Sequence, residues 1–314
     1  MVTLGAVGLL TGALVTLSAP GSGRAATDHA AASEEENPLA GVESFVVYFG
    51  GDFHRELGCY DMAIIDPDAH TPAEVAGLRN GGTLPIAYLS VGEAETYRWF
   101  YPRVDPSWML GPNPNWENHF FVDARKVGWQ DLLVETVIPG IVARGYQGLF
   151  LDMVDTALPG LYPETEEGMV ELVHRIGAEH PGLHLIMNRG FFLAQRVAHV
   201  VDGLAVEGTF ARYDFADRTY RRTPPDRRDA LLRELDRAVG SYGFAPFLID
   251  YAPVDDHRLR DYAREAASER GLPSFVSTVA LDRVPPSPAR APSGGCGTVR
   301  EPDEGPGPRS GGAP

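Results

Sequence analysis

The feature that most constrains the fold is an alternation between short apolar runs and helix-like stretches over residues 40–286. The runs are continuous in Val, Ile, Leu and Phe, which is typical of strands that are buried on both faces. They lie at residues 44–50, 62–67, 84–92, 148–155, 184–190, 203–210, 246–253 and 273–281. Helix-like stretches that close on glycine lie between most of them, at residues 129–145, 166–182, 228–243 and 257–271.

Eight strands with intervening helices in about 250 residues predict a single-domain α/β protein with a (β/α)8, or TIM, barrel. The alternative is a doubly wound open sheet, which would be expected to carry a glycine-rich phosphate turn after an early strand. Residues 48–53, "YFGGDF", match such a turn poorly. We therefore favour the barrel.

Both ends of the chain fall outside the predicted barrel. Residues 2–19 are uncharged and apolar, and small and polar residues follow up to residue 39. This pattern resembles the core and cleavage region of a secretory signal, although the usual preceding positive charge is missing. The apolar segment is short and glycine-rich for a stable membrane span, so we expect a secreted, extracellular protein. Residues 287–314 are rich in Pro and Gly and are predicted to be a disordered tail.

Composition limits the partners of this chain. It has 43 acidic and 27 basic residues, a formal net charge of −16, which argues against nucleic acid because surfaces that bind phosphates are normally basic. Cys59 and Cys296 are too few for a metal site or a disulfide framework, and their pairing with each other stays open. We expect a monomer without a metal.

Polar side chains gather where the predicted strands end. They are Asp66, Ser90, Glu93, Asp152, Asp155, Asn188, Arg189, Glu207, Asp250 and Tyr251. Each has a structural explanation when taken alone, such as an Asp that caps the next helix or an Arg in a structural ion pair. Because active sites of such barrels lie at the carboxyl ends of the strands, their recurrence at six of the eight strand ends predicts a site for a small molecule or a polymer.

Carboxylates dominate this set, and paired carboxylates are the catalytic groups of glycoside hydrolysis. The chain has no Gly-x-Ser-x-Gly elbow, and His54, His119 and His184 lack the spacing of metal ligands. The candidate pair is Asp152 and Glu207, which end the fourth and sixth runs. Alternate barrel strands place inward residues in the same layer, so the two carboxyls are predicted to face each other across the mouth.

A long segment after the third run carries all four tryptophans, Trp99, Trp108, Trp116 and Trp129. A loop of this length inside a barrel is usually functional, and flat aromatic faces with a polar edge suit sugar rings. Trp129 lies in a helical pattern and is predicted to pack against the barrel. We expect Trp108 or Trp116 to contact a polymer substrate.

Six motifs in order along the chain together resemble glycoside hydrolase family 114, the endo-α-1,4-polygalactosaminidase-like barrels. They are "YDMAIIDP" (60–67), "YLSVGEAETYR" (88–98), "GLFLDMVDT" (148–156), "IMNRG" (186–190), "AVEGTF" (205–210) and "LIDYA" (248–252). The resemblance covers about residues 44–282. It implies a secreted, cofactor-free, retaining endo-glycosidase that acts on galactosamine-rich exopolysaccharide.

The same resemblance suggests roles for individual residues. The catalytic Asp and Glu of the family match Asp152 and Glu207. The positions that line its cleft match Asp66, Tyr88, Asp155, Asn188 and Tyr251. Arg189 departs from the family pattern, and the tail has no counterpart there.

A polymer with free amino groups is a polycation, which an acidic cleft would concentrate. On this basis Asp66, Glu93, Asp155 and Asp250 are expected to bind ammonium groups.

By analogy with other α-acting barrels, Asp152 is expected to be the nucleophile and Glu207 the acid/base. Neighbours such as Asn188 or Arg189 would then keep Asp152 ionised. The reverse assignment stays open.

Other interpretations are a non-catalytic sugar-binding barrel and a glycosidase of the same fold that acts on a different polysaccharide. A chitinase-like enzyme, in which the acetamido group of the substrate takes part, would need an Asp-x-Asp-x-Glu run on the fourth strand. Asp152 is followed by Met-Val-Asp-Thr, which lacks that pattern.

Overall fold

The computed structural model describes residues 37–158 and 160–285, which form a parallel sheet surrounded by helices. The strands of this part of the chain are β1 (Phe45–Tyr48), β2 (Met62–Ile65), β3 (Leu84–Ser90), β4 (Glu93–Glu95), β5 (Met109–Pro112), β6 (His119–Val122), β7 (Gly148–Asp152), β8 (His184–Asn188), β9 (Gly203–Glu207), β10 (Ala211–Asp214), β11 (Thr219–Arg222), β12 (Ala245–Tyr251) and β13 (Ser274–Ser277).

Eight of these strands form one sheet in the order β1-β2-β3-β7-β8-β9-β12-β13, with every neighbouring pair parallel. Each corresponds to one of the eight apolar runs. The two outer strands approach each other: the rings of Phe45 and Phe275 lie 6.1 Å apart. Just beyond these strands the Phe49 N–H donates to the Leu281 carbonyl at 2.8 Å. The sheet is therefore nearly closed, and the TIM-barrel prediction is confirmed.

Helices connect successive strands of the barrel. They are α1 (Pro72–Asn80), α2 (Val127–Leu132), α3 (Ile138–Ala143), α4 (Glu166–Glu179), α5 (Ala194–Val197), α6 (Pro225–Tyr242) and α7 (His257–Ser268). Short 3₁₀ helices cover Arg55–Cys59, Tyr101–Arg103, Pro106–Trp108, Val154–Ala157, Pro163–Thr165 and Phe191–Leu193. All four helix-like stretches of the sequence are thus helical.

Local sequence explains where several helices begin, widen or end. Thr71 and Glu74 form a capping box at the start of α1. A π turn at Leu133–Val137 joins α2 to α3. Pro139 follows this turn, and because a proline ring crowds the carbonyl four residues earlier, the helix widens there. Gly243 ends α6 at a φ of +73°, a conformation that glycine adopts without strain.

Packing inside and around the barrel is apolar. β1 and β2 are buried at every position, and the rings of Phe45 and Phe247 meet edge to face at 5.3 Å. Trp129 is fully buried between α2 and the barrel, and its indole N–H donates to the Val91 carbonyl at 2.9 Å. Trp129 therefore packs the helix onto the sheet, as its helical position predicted.

Two insertions lie beyond the carboxyl ends of the barrel strands. The long segment after β3 forms an antiparallel sheet in the order β4-β6-β5, and the segment after β9 forms the hairpin β10-β11. These insertions supply side chains to the mouth of the barrel in addition to those at the strand ends.

The predictions for residues 1–36 and 286–314, including the signal-like segment and the tail, lie outside the described residues. The same holds for pairing of Cys59 with Cys296. Leu39, just before the predicted boundary at residue 40, is buried in the core. Among the helices that the structure describes, none combines the length and the hydropathy required to cross a membrane.

Candidate active site

Three polar residues end three neighbouring strands at the centre of the barrel mouth. Asp152 ends β7, Asn188 ends β8 and Glu207 ends β9. The Asn188 amide nitrogen donates to one oxygen of Asp152 and to one oxygen of Glu207, both at 2.8 Å. Because one nitrogen contacts both oxygens, these oxygens are at most about 5.6 Å apart, twice the hydrogen-bond length.

A residue with a left-handed backbone conformation follows each of these three side chains. Met153, Arg189 and Gly208 all have left-handed backbones, with φ of +62°, +57° and +65°. The left-handed turn ends the strand immediately after the functional side chain. Such a conformation costs roughly 1–2 kcal/mol at a residue other than glycine, and strain of this kind concentrates at functional sites.

A close approach of two loops supports the end of β7. A Cβ atom added to Gly92, just after β3, would lie 2.1 Å from the carbonyl oxygen of Met153 and 2.3 Å from the hydroxyl of Thr156. Only glycine allows this contact between the segment after β3 and the segment that carries Asp152.

Two buried tyrosines lie beside the carboxyl pair. The Tyr88 hydroxyl donates to Asp152 at 3.0 Å and to Glu95 at 3.3 Å. Burial, and after it the charge of Asp152, raises the pKa of Tyr88 well above its usual value. Burial and the charge of Glu207 do the same to the pKa of Tyr251. Both tyrosines therefore stay protonated and keep a hydrogen to donate.

The carboxyl pair retains a proton up to neutral pH. Burial and the negative charge of Glu207 raise the pKa of Asp152 to about 7, although the hydrogen bond from Asn188 opposes the shift. Arg189 lies on the other side of the pair, with its guanidinium 3.7 Å from the Glu207 carboxylate and donating to the Glu207 carbonyl at 3.3 Å. In the free protein the two carboxyls thus share a proton, and Arg189 offsets the negative charge of the pair.

Three acids that were expected to bind ammonium groups have partners inside the protein. Asp66 pairs with Arg98 at 2.7 Å. Glu93 is 2% exposed and contacts the amide of Asn113 and, at 3.1 Å, the ring of His119.

Asp250 is fully buried and accepts hydrogen bonds from the backbone N–H groups of Phe210 and Ala211, both at 2.8 Å. Burial raises the pKa of Asp250 to about 7. Asp250 therefore fixes the backbone that follows Glu207.

Two further predicted residues, Asp155 and Ser90, lie at or just past strand ends. Asp155 lies just past β7, where burial raises its pKa against the attraction of Arg189. Ser90 ends β3 and is buried, and its hydroxyl has no hydrogen-bond partner among the described residues.

A second charge network, missed by sequence reasoning, lies behind Tyr88. Arg98 is 6% exposed and contacts Glu95, Asp66 and Asp68. The Tyr97 hydroxyl also donates to Glu95, at 2.8 Å. Glu95 and Arg98 fall within the motif "YLSVGEAETYR", but partners 32 residues apart, such as Asp66 and Arg98, leave no local signal.

The aromatic residues divide into structural and exposed ones. Trp108 packs over Gly128 at the start of α2, where an added Cβ would lie 2.3 Å from the indole. Trp116 is 41% exposed, and its ring meets that of Phe215, which is 39% exposed, edge to face at 5.4 Å. This contact joins the insertion after β3 to the β10-β11 hairpin. Of the two tryptophans expected to bind polymer, Trp116 is exposed, whereas Trp108 is partly buried against the core.

No group of three or more His, Cys, Asp or Glu side chains within residues 37–158 and 160–285 is arranged to hold a metal ion. The chemistry available to the described site is that of two carboxyls, an amide, two tyrosine hydroxyls and a guanidinium. Two apposed carboxyls are the groups on which glycoside hydrolysis depends.

The model of glycoside-hydrolase family GH114 matches residues 25–291 of the chain. The chain belongs to this family. The resemblance read from the strand-end motifs is thereby confirmed, and the protein is a glycoside hydrolase.

Two solved structures are similar in fold, and one further protein is similar in sequence. The glycoside hydrolase domain of PelA from Pseudomonas aeruginosa is 29% identical, with a TM-score of 0.70 over 78% of this chain and 98% of that domain. Ega3 from Aspergillus fumigatus, solved in complex with galactosamine, has a TM-score of 0.62 at 14% identity over 79% of this chain and 95% of Ega3, and shares the fold. An uncharacterized protein of Deinococcus radiodurans is 28% identical over 241 residues, which cover 72% of this chain and 75% of that protein.

Proposed function

We propose that this protein is an endo-acting hydrolase that cleaves α-1,4-linked, galactosamine-rich polysaccharide with retention of configuration, and that Asp152 and Glu207 are its catalytic pair. The observation that carries the proposal is the bridge from Asn188 to both carboxyls. It holds the two nearest oxygens at most about 5.6 Å apart. Retaining enzymes need about 5–5.5 Å between the carboxyls, whereas inverting enzymes need about 6.5–9.5 Å to admit a water molecule.

In the proposed first step, Asp152 attacks the anomeric carbon while Glu207 protonates the leaving glycosidic oxygen. A covalent glycosyl–Asp152 ester forms, and the shortened polymer departs with the proton. In the second step Glu207 removes a proton from water, which attacks the same carbon and releases Asp152. Asn188 contacts both carboxyls throughout, and Tyr88 donates to the Asp152 oxygen that Asn188 does not contact.

The proton that the two carboxyls share in the free site bears on which of them can attack. The free pair retains a proton, because burial and the charge of Glu207 raise the pKa of Asp152, whereas the proposed nucleophile must be ionised. An ammonium group of a bound galactosamine favours the ionised form of a nearby carboxyl, so substrate binding would shift the proton towards Glu207. The reverse assignment, in which Glu207 attacks and Asp152 donates, is the alternative that the following experiment separates.

The test measures new reducing ends on defined galactosamine polymers with Asp152→Asn, Glu207→Gln and Glu207→Ala. Loss of turnover in Asp152→Asn with an unchanged circular dichroism spectrum supports the pair. Azide should partly rescue Glu207→Ala on an activated substrate and give a product of retained configuration. In a further variant, Asp152→Ala, an azide product of retained configuration would reverse the roles, whereas an inverted product would mark Asp152 as the nucleophile. Full activity in Asp152→Asn or in Glu207→Gln removes the pair from the mechanism. If the wild type cleaves no hexosamine polymer, a sugar-binding protein is favoured over an enzyme.

We further propose that the protein acts outside the cell as a monomer on a cationic polymer. The apolar segment at residues 2–19 and the formal net charge of −16 support this proposal. Fractionation of cells that express the chain with and without residues 2–19 tests export. Light scattering of the purified protein tests the oligomeric state.

A further inference from the structure

The hydroxyl of Tyr88 lies between two acids that compete for its hydrogen. It is 3.0 Å from Oδ2 of Asp152 and 3.3 Å from Oε1 of Glu95. Tyr88 and Glu95 are 8% and 3% exposed, so water is largely excluded from both contacts. A phenol has one hydrogen to donate. Tyr88 can therefore donate to only one of the two acids at a time.

Glu95 has two further donors besides Tyr88. The Tyr97 hydroxyl donates at 2.8 Å to Oε1 of Glu95, the same oxygen that Tyr88 contacts. The other oxygen, Oε2, accepts from Nε of Arg98. Tyr97 and Arg98 thus offset the charge of Glu95 and weaken its attraction for the Tyr88 hydrogen.

Arg98 is itself held by the loop that follows β2. Its guanidinium pairs with Asp66 at 2.7 Å and with Asp68 at 3.2 Å, and its central carbon lies 5.5 Å from the centre of the Tyr88 ring. These contacts tie the segment after β3 to the end of β2, which is a structural role. Glu95 does more than this, because one hydroxyl connects it to Asp152.

The direction in which Tyr88 donates depends on the charge of Asp152. An ionised Asp152 attracts the Tyr88 hydrogen, since Glu95 already has two other donors. A protonated Asp152 carries its hydrogen best on Oδ2, because Oδ1 faces the N–H of Asn188. It then donates to the Tyr88 oxygen, and the Tyr88 hydrogen turns to Glu95. Glu95 therefore stabilises the protonated form of Asp152.

We propose that Glu95, held by Arg98, is a positioning residue that acts through Tyr88 and sets how tightly the pair of Asp152 and Glu207 holds its proton. When Asp152 ionises, its proton passes to Glu207 or to solvent. The Tyr88 hydrogen turns from Glu95 to Asp152 without leaving Tyr88. For turnover, this inference rests on the proposed function, in which Asp152 must be ionised before it attacks.

Other groups around the two acids also influence this proton, so the test must separate them from Glu95. The groups near Asp152 are Asp155, Asn188, Arg189, Glu207 and Tyr251, and those near Glu95 are Tyr97, Arg98 and His119, with Asp66, Asp68 and Glu93 beyond them. Within residues 37–158 and 160–285, Tyr88 alone makes hydrogen bonds to both Asp152 and Glu95.

Carbon-13 NMR of the full chain, labelled in the aspartate carboxyls, follows the proton without any substrate. The signal that disappears in Asp152→Asn belongs to Asp152. Asp250 serves as an internal reference, because burial raises its pKa to about 7 as well, whereas its partners are the backbone N–H groups of Phe210 and Ala211. The Asp250 titration should stay unchanged in every variant below.

Two substitutions at Glu95 and its neighbour should shift the Asp152 titration in opposite directions. Glu95→Gln leaves the Tyr88 hydrogen to Asp152, so the midpoint should fall by about 1 pH unit, the effect of one hydrogen bond to a charged group. Tyr97→Phe removes the competing donor at Oε1, which strengthens the attraction of Glu95 for the Tyr88 hydrogen. The midpoint should then rise by about 0.3–1 pH unit. Tyr97 is 59% exposed, so its replacement should not disturb folding.

Two controls separate orientation of Tyr88 from charge and from stability. In a Tyr88→Phe background, Glu95→Gln should shift the midpoint by less than about half as much as in the wild type, because the connecting hydroxyl is gone. Asp123→Asn removes another buried acid that pairs with an arginine, Arg125 at 2.8 Å. It should lower the melting temperature and leave the Asp152 midpoint unchanged.

Several results would overturn the inference. A Glu95→Gln midpoint within about 0.3 pH unit of the wild type, or shifts of the same sign in Glu95→Gln and Tyr97→Phe, would leave Glu95 with a structural role only. An equal shift in the Tyr88→Phe background would assign the effect to charge alone. If Glu95→Gln does not fold, Tyr97→Phe decides, and an unchanged midpoint in that variant overturns the inference.

Turnover is measured separately from the titration. The alkaline limb of kcat/KM on a galactosamine oligomer should move in the same direction as the NMR midpoint, to lower pH in Glu95→Gln and to higher pH in Tyr97→Phe. If the midpoints shift as expected but the wild type cleaves no galactosamine polymer, the positioning role stands and the proposed function fails. If the wild type cleaves the polymer but neither substitution moves the midpoint, the proposed function stands and the positioning role fails.

Discussion

Replacement of Asn188 by alanine tests the geometry on which the proposed mechanism depends. The substitution removes two hydrogen bonds of 2.8 Å, one to each carboxyl of the proposed pair, from a residue that is 6% exposed. Hydrogen bonds to charged groups contribute about 1.5–3 kcal/mol each. Because part of this stabilisation is already present before the transition state, we expect a net loss of about 2–4 kcal/mol, or about 30- to 1,000-fold in kcat/KM.

The pH profile of Asn188→Ala should move as well. Activity requires one proton in the pair, so kcat/KM of the wild type should fall as the pH rises through about 7, where the pair loses its last proton. The hydrogen bond from Asn188 lowers the pKa of Asp152. Its removal therefore shifts the alkaline limb to higher pH, while the maximum rate decreases.

The assay is kcat/KM on a galactosamine oligomer of defined length, measured from about pH 4 to pH 9. Gln130→Ala is the matched control, because Gln130 is also a buried amide and donates to the Ala124 carbonyl away from the mouth. That control should lower the melting temperature and leave the pH profile unchanged. An Asn188→Ala enzyme with kcat/KM within about threefold of the wild type and the same alkaline limb would refute the reasoning.

Four other variants test features around the site. Asp250→Asn should flatten the pH dependence of the free energy of unfolding. Because the folded wild type holds a proton on Asp250, it loses on the order of 1–4 kcal/mol of stability as the pH rises from about 4 through about 7. Chemical denaturation across that pH range measures the loss. Gly92→Ala should lower both kcat and the melting temperature, since its methyl group would meet the carbonyl 2.1 Å away; wild-type kinetics would contradict the required close approach. Trp116→Ala combined with Phe215→Ala should raise KM by about 3- to 10-fold on long polymers and less on short oligomers. Equal effects of this double variant on long and short chains would count against an outer binding surface. Trp108→Ala, in contrast, should mainly lower the melting temperature.

The fold could be predicted from the sequence because buried parallel strands leave a local signal. Continuous apolar runs marked each barrel strand, and the functional residue directly after Leu151, Met187 or Val206 could be placed at the mouth without a structure. The placement of Asp152 and Glu207 at the mouth therefore followed from strand ends alone. The distance between their carboxyls and the bridge through Asn188 did not.

The roles of the other acids could not be predicted, because they depend on partners that are distant in sequence. Asp66 meets Arg98 and Asp250 meets the backbone of Phe210, 40 residues away. A carboxylate at a strand end looks the same in sequence whether it faces a ligand or an internal donor. The packing of Trp108 against Gly128 could not be predicted for the same reason, because these two residues are also distant in sequence.

The left-handed residues after Asp152, Asn188 and Glu207 have a consequence for how this barrel can be re-engineered. Each of these three side chains is the last residue of a strand, and the direction in which the chain leaves that strand is set by Met153, Arg189 or Gly208. We therefore expect segments beyond these junctions to tolerate exchange. Grafting a different hairpin between Thr209 and Thr223, for example, would replace the rim that carries Arg212 and Phe215 while the reacting atoms keep their scaffold. In such chimaeras the choice of polymer would be inherited from the donor of the loop, and the stereochemical course from the recipient barrel.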